Sequence, residues 1–155
     1  MASAEPDVGA PPRLTMEAIL MAASRGMRRA YDHRLAGLGL KLSEAFLLAH
    51  VHTRGPMTQT QLAEGLGIGR AATGALIDAL EGKGLVERTA HAGDRRVWLV
   101  ASTERAAPLV AEIAALDDAL RAEMWNGISR AERRTLSEIL LRLQGNLAAI
   151  LNDQI

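Results

Sequence analysis

Apolar residues recur at helical spacing along most of this chain, and the pattern changes to strand-like runs in one short stretch. Ile19, Leu20, Ala23, Met27, Ala30, Tyr31 and Leu35 keep the helical period and predict a helix from Leu14 or Thr15 to Ala36. A loop with Gly37, Gly39 and Lys41 follows. Ser43 is placed to cap a second helix, Glu44 to Thr53, with Phe46, Leu47, His50 and Val51 facing inward. Gly55-Pro56 closes it. Thr58, followed three residues later by Gln61, forms a capping box in which each side chain satisfies a backbone N–H of the other. The short helix starting there is expected to bury Leu62, Ala63 and Leu66. Gly67 breaks it, and Leu76, Ile77 and Leu80 set the period of the next helix, Gly69 to Glu81. Two short helices around a glycine turn make a helix-turn-helix. Gly82 and Gly84 then end the second helix. Leu85–Arg88 and Val97–Val100 read as strands flanking the polar turn His91-Ala92-Gly93-Asp94-Arg95.

Past this hairpin, Ser102 or Thr103 caps a long helix to Trp125, with Pro108 removing a backbone bond near its first turns and bending it. Ser129 and Glu132 form a second capping box, opening a final helix to Leu151. Its stripe of Leu136, Ile139, Leu140, Leu143, Leu147, Ile150 and Leu151 is too rich for a lone terminal helix to hide. An apolar face of that size marks an interface. The expected fold class is mainly α with a small β-hairpin wing, a winged helix-turn-helix with added dimerisation helices. Residues 37–101 form the winged helix-turn-helix DNA-binding domain, 13–36 and 102–155 a helical dimerisation region, and 1–12 a disordered N-terminal arm.

At the hairpin the resemblance becomes specific. Gln61-Leu62-Ala63 with Leu66-Gly67-Ile68, Leu76-Ile77-Asp78 with Leu80-Glu81, and Gly84-Leu85-Val86 with Arg88 come in order. The wing motif Asp94-Arg95-Arg96 and the helix start Ser102-Thr103-Glu104 complete a segment that resembles the MarR family of bacterial transcriptional regulators. The resemblance implies a homodimeric repressor on double-stranded DNA, released by a small-molecule effector, often phenolic or otherwise an anionic aromatic. That effector would lie between the dimerisation helices and the winged helix, where Arg25, Tyr31, Phe46, His50 and Trp125 fall by region.

The same alignment makes Gly69–Glu81 the recognition helix, with Arg70, Ala71, Gly74 and Ala75 towards base edges. Arg70 alone among them can make a bidentate contact to guanine, and the alanines can touch thymine methyls. The family commonly places polar or basic side chains around positions 74 and 75, so direct readout here is thin, and DNA shape and the wing carry more of the specificity. In the wing, Asp94 pairs with Arg96 on the returning strand and leaves Arg95 to enter a minor groove, or the two arginines exchange roles. Thr58, Gln59 and Thr60, at a helix N-terminus, are placed to position a phosphate, with Arg54 and Arg88 adding contacts. Trp98 is expected to pack the wing against the core.

Composition narrows the picture. The chain holds one domain's worth of residues and no cysteine, so disulfides and thiol redox sensing are out of reach. No signal peptide or membrane-length apolar run is present, which predicts a soluble cytoplasmic protein and no membrane partner. The formal net charge is zero, and residues 58–100 balance as well, so DNA binding must depend on where the arginines point. Arg25, Arg28, Arg29 and Arg34 of the first helix read as a solvated face or as phosphate or anion contacts. His50 and His52 lack a second pair of ligands at metal spacing, so neither a metal nor a cofactor is expected. With no phosphate-cradling glycine loop and no recognisable Ser, His and carboxylate set, an enzyme is not expected either. The competing reading is a winged-helix protein-association module without specific DNA binding, for which Arg95 and Arg96 would have little use.

Overall fold

A computed structural model describes residues 15–152, save the side chain of Arg95. The arm expected over residues 1–12 lies outside the described residues. The chain divides into two compact units, Met1–Asp117 and Asp118–Ile155, taken here in turn.

In the first unit, helix α1 (Met16–Leu35) starts where Thr15 caps it, the Thr15 hydroxyl accepting from the Ala18 N–H at 3.3 Å. It runs into one 3₁₀ turn, Ala36–Leu38, which Gly39 ends at φ 68°. Helix α2 (Leu42–Arg54) begins two residues earlier than its sequence predicts. Ser43 is not its cap. The Glu44 carboxylate accepts from the Lys41 N–H at 2.9 Å, Asp32 reaches over from α1 to accept from the Leu42 N–H at 2.7 Å, and the Ser43 hydroxyl accepts from Arg28 instead. Two carboxylates therefore do the work expected of one hydroxyl, and both suit the positive end of a helix dipole.

A two-residue strand β1 (Met57–Thr58) leads into α3 (Gln59–Leu66), whose capping box forms as expected. The Thr58 N–H donates to Gln61 at 2.9 Å and the Gln61 N–H to Thr58 Oγ1 at 3.2 Å. Leu62 and Ala63 are buried and Leu66 half-buried. Gly67 stops the helix in the left-handed conformation at φ 64°, with the Ile68 N–H bonded back to the Ala63 carbonyl, a geometry that favours a residue without Cβ. Helix α4 (Arg70–Gly82) buries Thr73, Ile77 and Leu80. The buried Thr73 hydroxyl is satisfied within its own helix by the Gly69 carbonyl at 3.0 Å.

Strands β2 (Val86–His91) and β3 (Asp94–Ser102) are longer than predicted and pair antiparallel, His91 opposite Asp94, so the turn shrinks to Ala92-Gly93. The sheet order is β1-β3-β2, with Met57 opposite Val100 and Thr58 opposite Leu99. The sequence alone misses β1, because two residues give no period. The core is an aliphatic cluster of Leu35, Leu47, Leu48, Val51, Leu62, Ile77, Leu80, Val86 and Val100, which joins α1, α2, α3, α4 and the sheet. Phe46 and Trp98 depart from expectation, being 53% and 56% exposed. Both lie on elements whose other apolar residues already fill the core.

Helix α5 (Ala106–Met124) starts at Ala106, so neither Ser102 nor Thr103 is its side-chain cap. Ser102 ends β3, and the Thr103 hydroxyl donates to the Gly84 carbonyl at 2.8 Å while its own carbonyl accepts from the Ala106 N–H. Pro108 is then the third helical residue. Its missing N–H falls among those without an intrahelical partner, so no bond is lost and no bend is required.

The second unit contains the end of α5 and helix α6 (Arg130–Asn152). The predicted capping box forms: the Ser129 N–H donates to Glu132 at 2.8 Å, and the Glu132 N–H donates to Ser129 Oγ at 3.2 Å. No described residue of α6 is buried. Leu136, Ile139, Leu143, Leu147, Ile150 and Leu151 all lie exposed, as does Leu141 on another side of the helix.

Within the first unit, Lys83 joins the end of α4 to the start of α2. Its ammonium donates to both oxygens of the buried Glu44 carboxylate, at 2.9 and 2.8 Å, and to the Gly39 carbonyl at 2.8 Å. Burial pushes the Glu44 pKa up. The hydrogen bonds from Lys83 and the Lys41 N–H and the charges of both lysines outweigh it, and the carboxyl titrates below its ordinary range. A depressed carboxyl contributes stability that is complete above its unfolded pKa and lost as pH falls through the folded value. Lys83→Met is expected to lower the urea-unfolding free energy at pH 7 by about 2 kcal/mol, less than for a fully buried pair because Lys83 is 38% exposed. The deficit should narrow on acidification as Glu44 takes up a proton. A deficit independent of pH would show that Lys83 acts through packing alone.

Candidate DNA interface and effector pocket

Helices α3 and α4 meet at a glycine turn that leaves the first turn of α4 on the surface. Arg70, Ala71 and Ala75 are exposed and Gly74 is half-buried, so all the predicted base-facing positions lie along one surface strip of α4. The reason for Gly74 is local. The Gln59 side chain crosses from α3 and donates Nε2–H to the Arg70 carbonyl at 3.0 Å, lying over Gly74 so closely that a Cβ there would sit 3.0 Å from Gln59 Nε2.

This contact changes the role expected of the α3 N-terminus. Thr58, Gln59 and Thr60 are half-buried, but the Thr58 hydroxyl both accepts from the Gln61 N–H and donates to Gln61 Oε1, and the Gln59 amide is bonded to Arg70. The first two side chains thus hold the scaffold and are not available for a phosphate. Arg54 is exposed at the end of α2.

Arg88 is also corrected. Its guanidinium is held by Asp78 and Glu81, one turn apart on α4, and its backbone N–H donates to Glu81 at 3.3 Å. The Asp78 hydrogen bond raises its pKa, against a burial contribution that lowers it, and the charges of both acids add to the rise. With its two terminal nitrogens on Asp78 and Glu81, Arg88 fastens β2 to α4. The pattern was visible only in part: Asp78 and Glu81 share a helix face, but nothing local places Arg88 opposite them.

In the wing, the Asp94 carboxylate accepts from the backbone N–H of Arg96 at 2.9 Å. That bond to the main chain pins the hairpin turn, and the Arg96 side chain stays exposed. The Arg95 side chain lies outside the described residues. His91 Nδ1 accepts from the Gly93 N–H at 3.0 Å and closes the other side of the turn.

A separate pocket of about 250 Å³ lies among α1, α2 and α5 within the first unit. Leu35, Ala45, Phe46, Val110, Ile113 and Leu116 form its apolar wall. The Tyr31 and Phe46 rings face each other across 6.3 Å at 58°, and the buried Tyr31 hydroxyl donates to Asp117 Oδ1 at 2.6 Å. Of the effector-lining residues expected from the sequence, Tyr31 and Phe46 are here. The other three are not. Arg25 is on the exposed surface of α1, and His50 packs its ring on Gly65 of α3, where an added Cβ would meet Nε2 at 2.7 Å. Trp125 belongs to the second unit, in an open cleft with Arg121, Arg130, Arg133 and Arg134. Sequence reasoning missed Asp117, which carries no motif. His52 bonds Ser102 at 3.1 Å, and no group of three or more His, Cys, Asp or Glu capable of holding a metal is found among the described residues. No helix in the described residues is long and apolar enough to cross a membrane.

A sequence model of the MarR family matches residues 40–98, which run from the start of α2 into β3. The transcriptional regulator PA3341, a solved structure, is 34% identical, covers 87% of this chain and 99% of its own, and superposes with a TM-score of 0.76. The chain belongs to the MarR family. It is therefore a winged-helix DNA-binding transcriptional regulator by family, mostly helical with a three-stranded antiparallel wing. A mutant MarR from E. coli complexed with operator DNA shares the fold at 22% identity, TM-score 0.78, covering 83% of this chain and 92% of its own. Bordetella bronchiseptica BpsR, whose DNA binding is regulated by 6-hydroxynicotinic acid, shares it at 18% identity and TM-score 0.79, covering 87% and 98%.

Arg88→Ala should lower the unfolding free energy by about 1–2 kcal/mol in urea titrations, because two carboxylates lose a shared charged partner. Arg88→Lys should recover little, since an ammonium cannot fork between two acids. Full recovery by lysine would mean that charge alone, and not the fork, fastens the wing.

Proposed function

We propose that this MarR-family protein is a homodimeric repressor that binds a pseudo-palindromic operator and is released from it by a small molecule. The observation that carries the reading is the exposed first turn of α4, on a helix held by Gln59 at its start and by Arg88 near its end, beside a wing that presents Arg96. Arg70 would read a guanine in the major groove, and the wing arginines would enter the adjoining minor groove. Ala71 and Ala75 supply apolar contact, so direct readout is thin. The relative bound to operator DNA supports this docking mode.

The exposed apolar residues of α6, and Met16, Ile19 and Met27 on α1, are the surfaces that a second copy would cover. Two copies place two recognition helices on half-sites about one helical turn apart. The pocket among α1, α2 and α5 is the effector site in this reading. It lies directly behind α2, which packs on α4, so an occupant that pushes on α2 shifts the recognition helix. BpsR, with its small-molecule regulator, supports that assignment.

Fluorescence anisotropy on duplexes from the protein's own upstream region, at two salt concentrations, tests the DNA reading. Tight binding that weakens with salt and outcompetes random DNA is expected, and joint replacement of Arg95 and Arg96 by Ala should abolish it while leaving the protein folded. Sequence-blind binding, or none, would favour a protein-association module. The dimer has its own test: Leu143→Glu should convert the species seen by sedimentation equilibrium from dimer to monomer. A wild-type monomer, or a variant that still dimerises fully, would remove α6 from the interface.

A further inference from the structure

The open cleft where α5 turns into α6 gathers charge of one sign. Arg121 and Trp125 line it from the end of α5, and Arg130, Arg133, Arg134 and Ser137 line it from α6. Its volume is about 840 Å³, and none of the residues lining it is Asp or Glu. Two of the four guanidiniums are engaged: Arg134 pairs with Glu138 at 3.2 Å, and Arg121 interacts within the protein. The other two are not. Arg130 and Arg133 are exposed, and neither guanidinium has a hydrogen-bond or ion-pair partner among the described residues. The carboxylate between them in sequence, Glu132, is turned back onto Ser129 in the capping box, and its own N–H is taken by the Ser129 hydroxyl. The open groups of the cleft are therefore arginine side chains, not the backbone end of the helix.

Arg130, Arg133 and Arg134 stand close together at the start of α6, where they repel one another and oppose the positive end of the helix dipole. A bound anion offsets both costs. Positions 130 and 133 are neighbours on the helix surface, with Cβ atoms about 5–6 Å apart. Two guanidinium forks at that spacing can grip two anionic groups at once, each through paired N–H bonds to oxygen. A lone carboxylate or phosphate fills one fork and leaves the other unanswered. Trp125, half-buried, adds an aromatic surface beside the charges. We propose that this cleft binds a pyrophosphoryl group, two linked phosphates, either free or carried by a nucleotide whose base lies on the Trp125 indole. Arg130 and Arg133 hold the phosphates. The site belongs to the second unit and does not depend on the effector reading of the pocket behind α2. It also lies about a third of a turn round α6 from the leucine stripe, so a dimer formed through that stripe leaves it open.

Trp98→Phe leaves Trp125 as the only tryptophan, a reporter inside the cleft. The full-length variant is titrated with pyrophosphate, ADP and orthophosphate at pH 7 and constant ionic strength in metal-free buffer, following indole emission. Calorimetry on the unsubstituted protein makes the same comparison if that variant does not fold or its emission does not respond. Pyrophosphate and ADP are expected to bind saturably, and orthophosphate at least about tenfold more weakly, because it engages one fork. Replacing both Arg130 and Arg133 by Gln, at exposed positions, should weaken pyrophosphate at least about tenfold. ADP binding more tightly than pyrophosphate would assign a nucleotide, and equal affinities would assign the pyrophosphoryl group alone; both results support the site. Orthophosphate binding as tightly as pyrophosphate would overturn the proposed class. Binding unchanged in the double glutamine variant, or no saturable binding of pyrophosphate or ADP, would overturn the site itself.

Discussion

The geometry of the reading head depends on one guanidinium held between two carboxylates. Arg88 comes from β2, Asp78 and Glu81 from the last turns of α4. The fork ties the helix to the hairpin at the surface, above the core that Ile77, Leu80, Val86 and Val100 share. Polar contacts elsewhere on the helix serve the same end: Gln59 fastens its first turn to α3, and Lys83 fastens the residue after it to Glu44 of α2. A helix that must meet a groove in a fixed orientation gains more from such constraints at its ends than from burial along its middle, because burial fixes depth but leaves some freedom to slide and roll.

The same pairs account for a DNA-binding protein of zero formal charge. Charge matters to a polyanion by position, and several of the acidic residues that balance the count are held by groups of the protein itself. Asp78 and Glu81 are held by Arg88, Glu44 by Lys83, and Asp94 by a backbone amide in the wing turn. Arg70 and Arg96 meanwhile stay exposed on the face where α4 and the wing lie together. Net charge thus averages over residues that do different jobs, and its near-absence says little about the local field.

What could be read from the chain was what local spacing determines. Both Ser/Thr-x-x-Glu/Gln boxes start their helices as written, because cap and partner are three residues apart. Gly67 and Gly84 mark left-handed turns for the same reason. Several of the failures involve partners distant in sequence. Ser43 looks like a cap, yet Asp32, eleven residues earlier, and Glu44 take that work. Arg88 looks like a phosphate contact until the fold sets it against Asp78 and Glu81. Phe46 and Trp98 look like core by residue type, but aliphatic neighbours had already filled the interior. Asp117 went unnoticed because a single carboxylate on a long helix has no signature. Its importance arises from Tyr31, eighty-six residues away.

The bare surface of the recognition helix has an evolutionary consequence. Ala71 and Ala75 are exposed and touch none of the clamps, so a longer polar side chain at either place would add a contact without displacing one. In the proposed docking, single replacements there would alter target preference with the fold left intact. Gly74 is closed to the same change, because a Cβ at that point presses on the Gln59 side chain that anchors the helix. Divergence among descendants of this chain should therefore run along two lanes of one helix face, with a conserved gap between them.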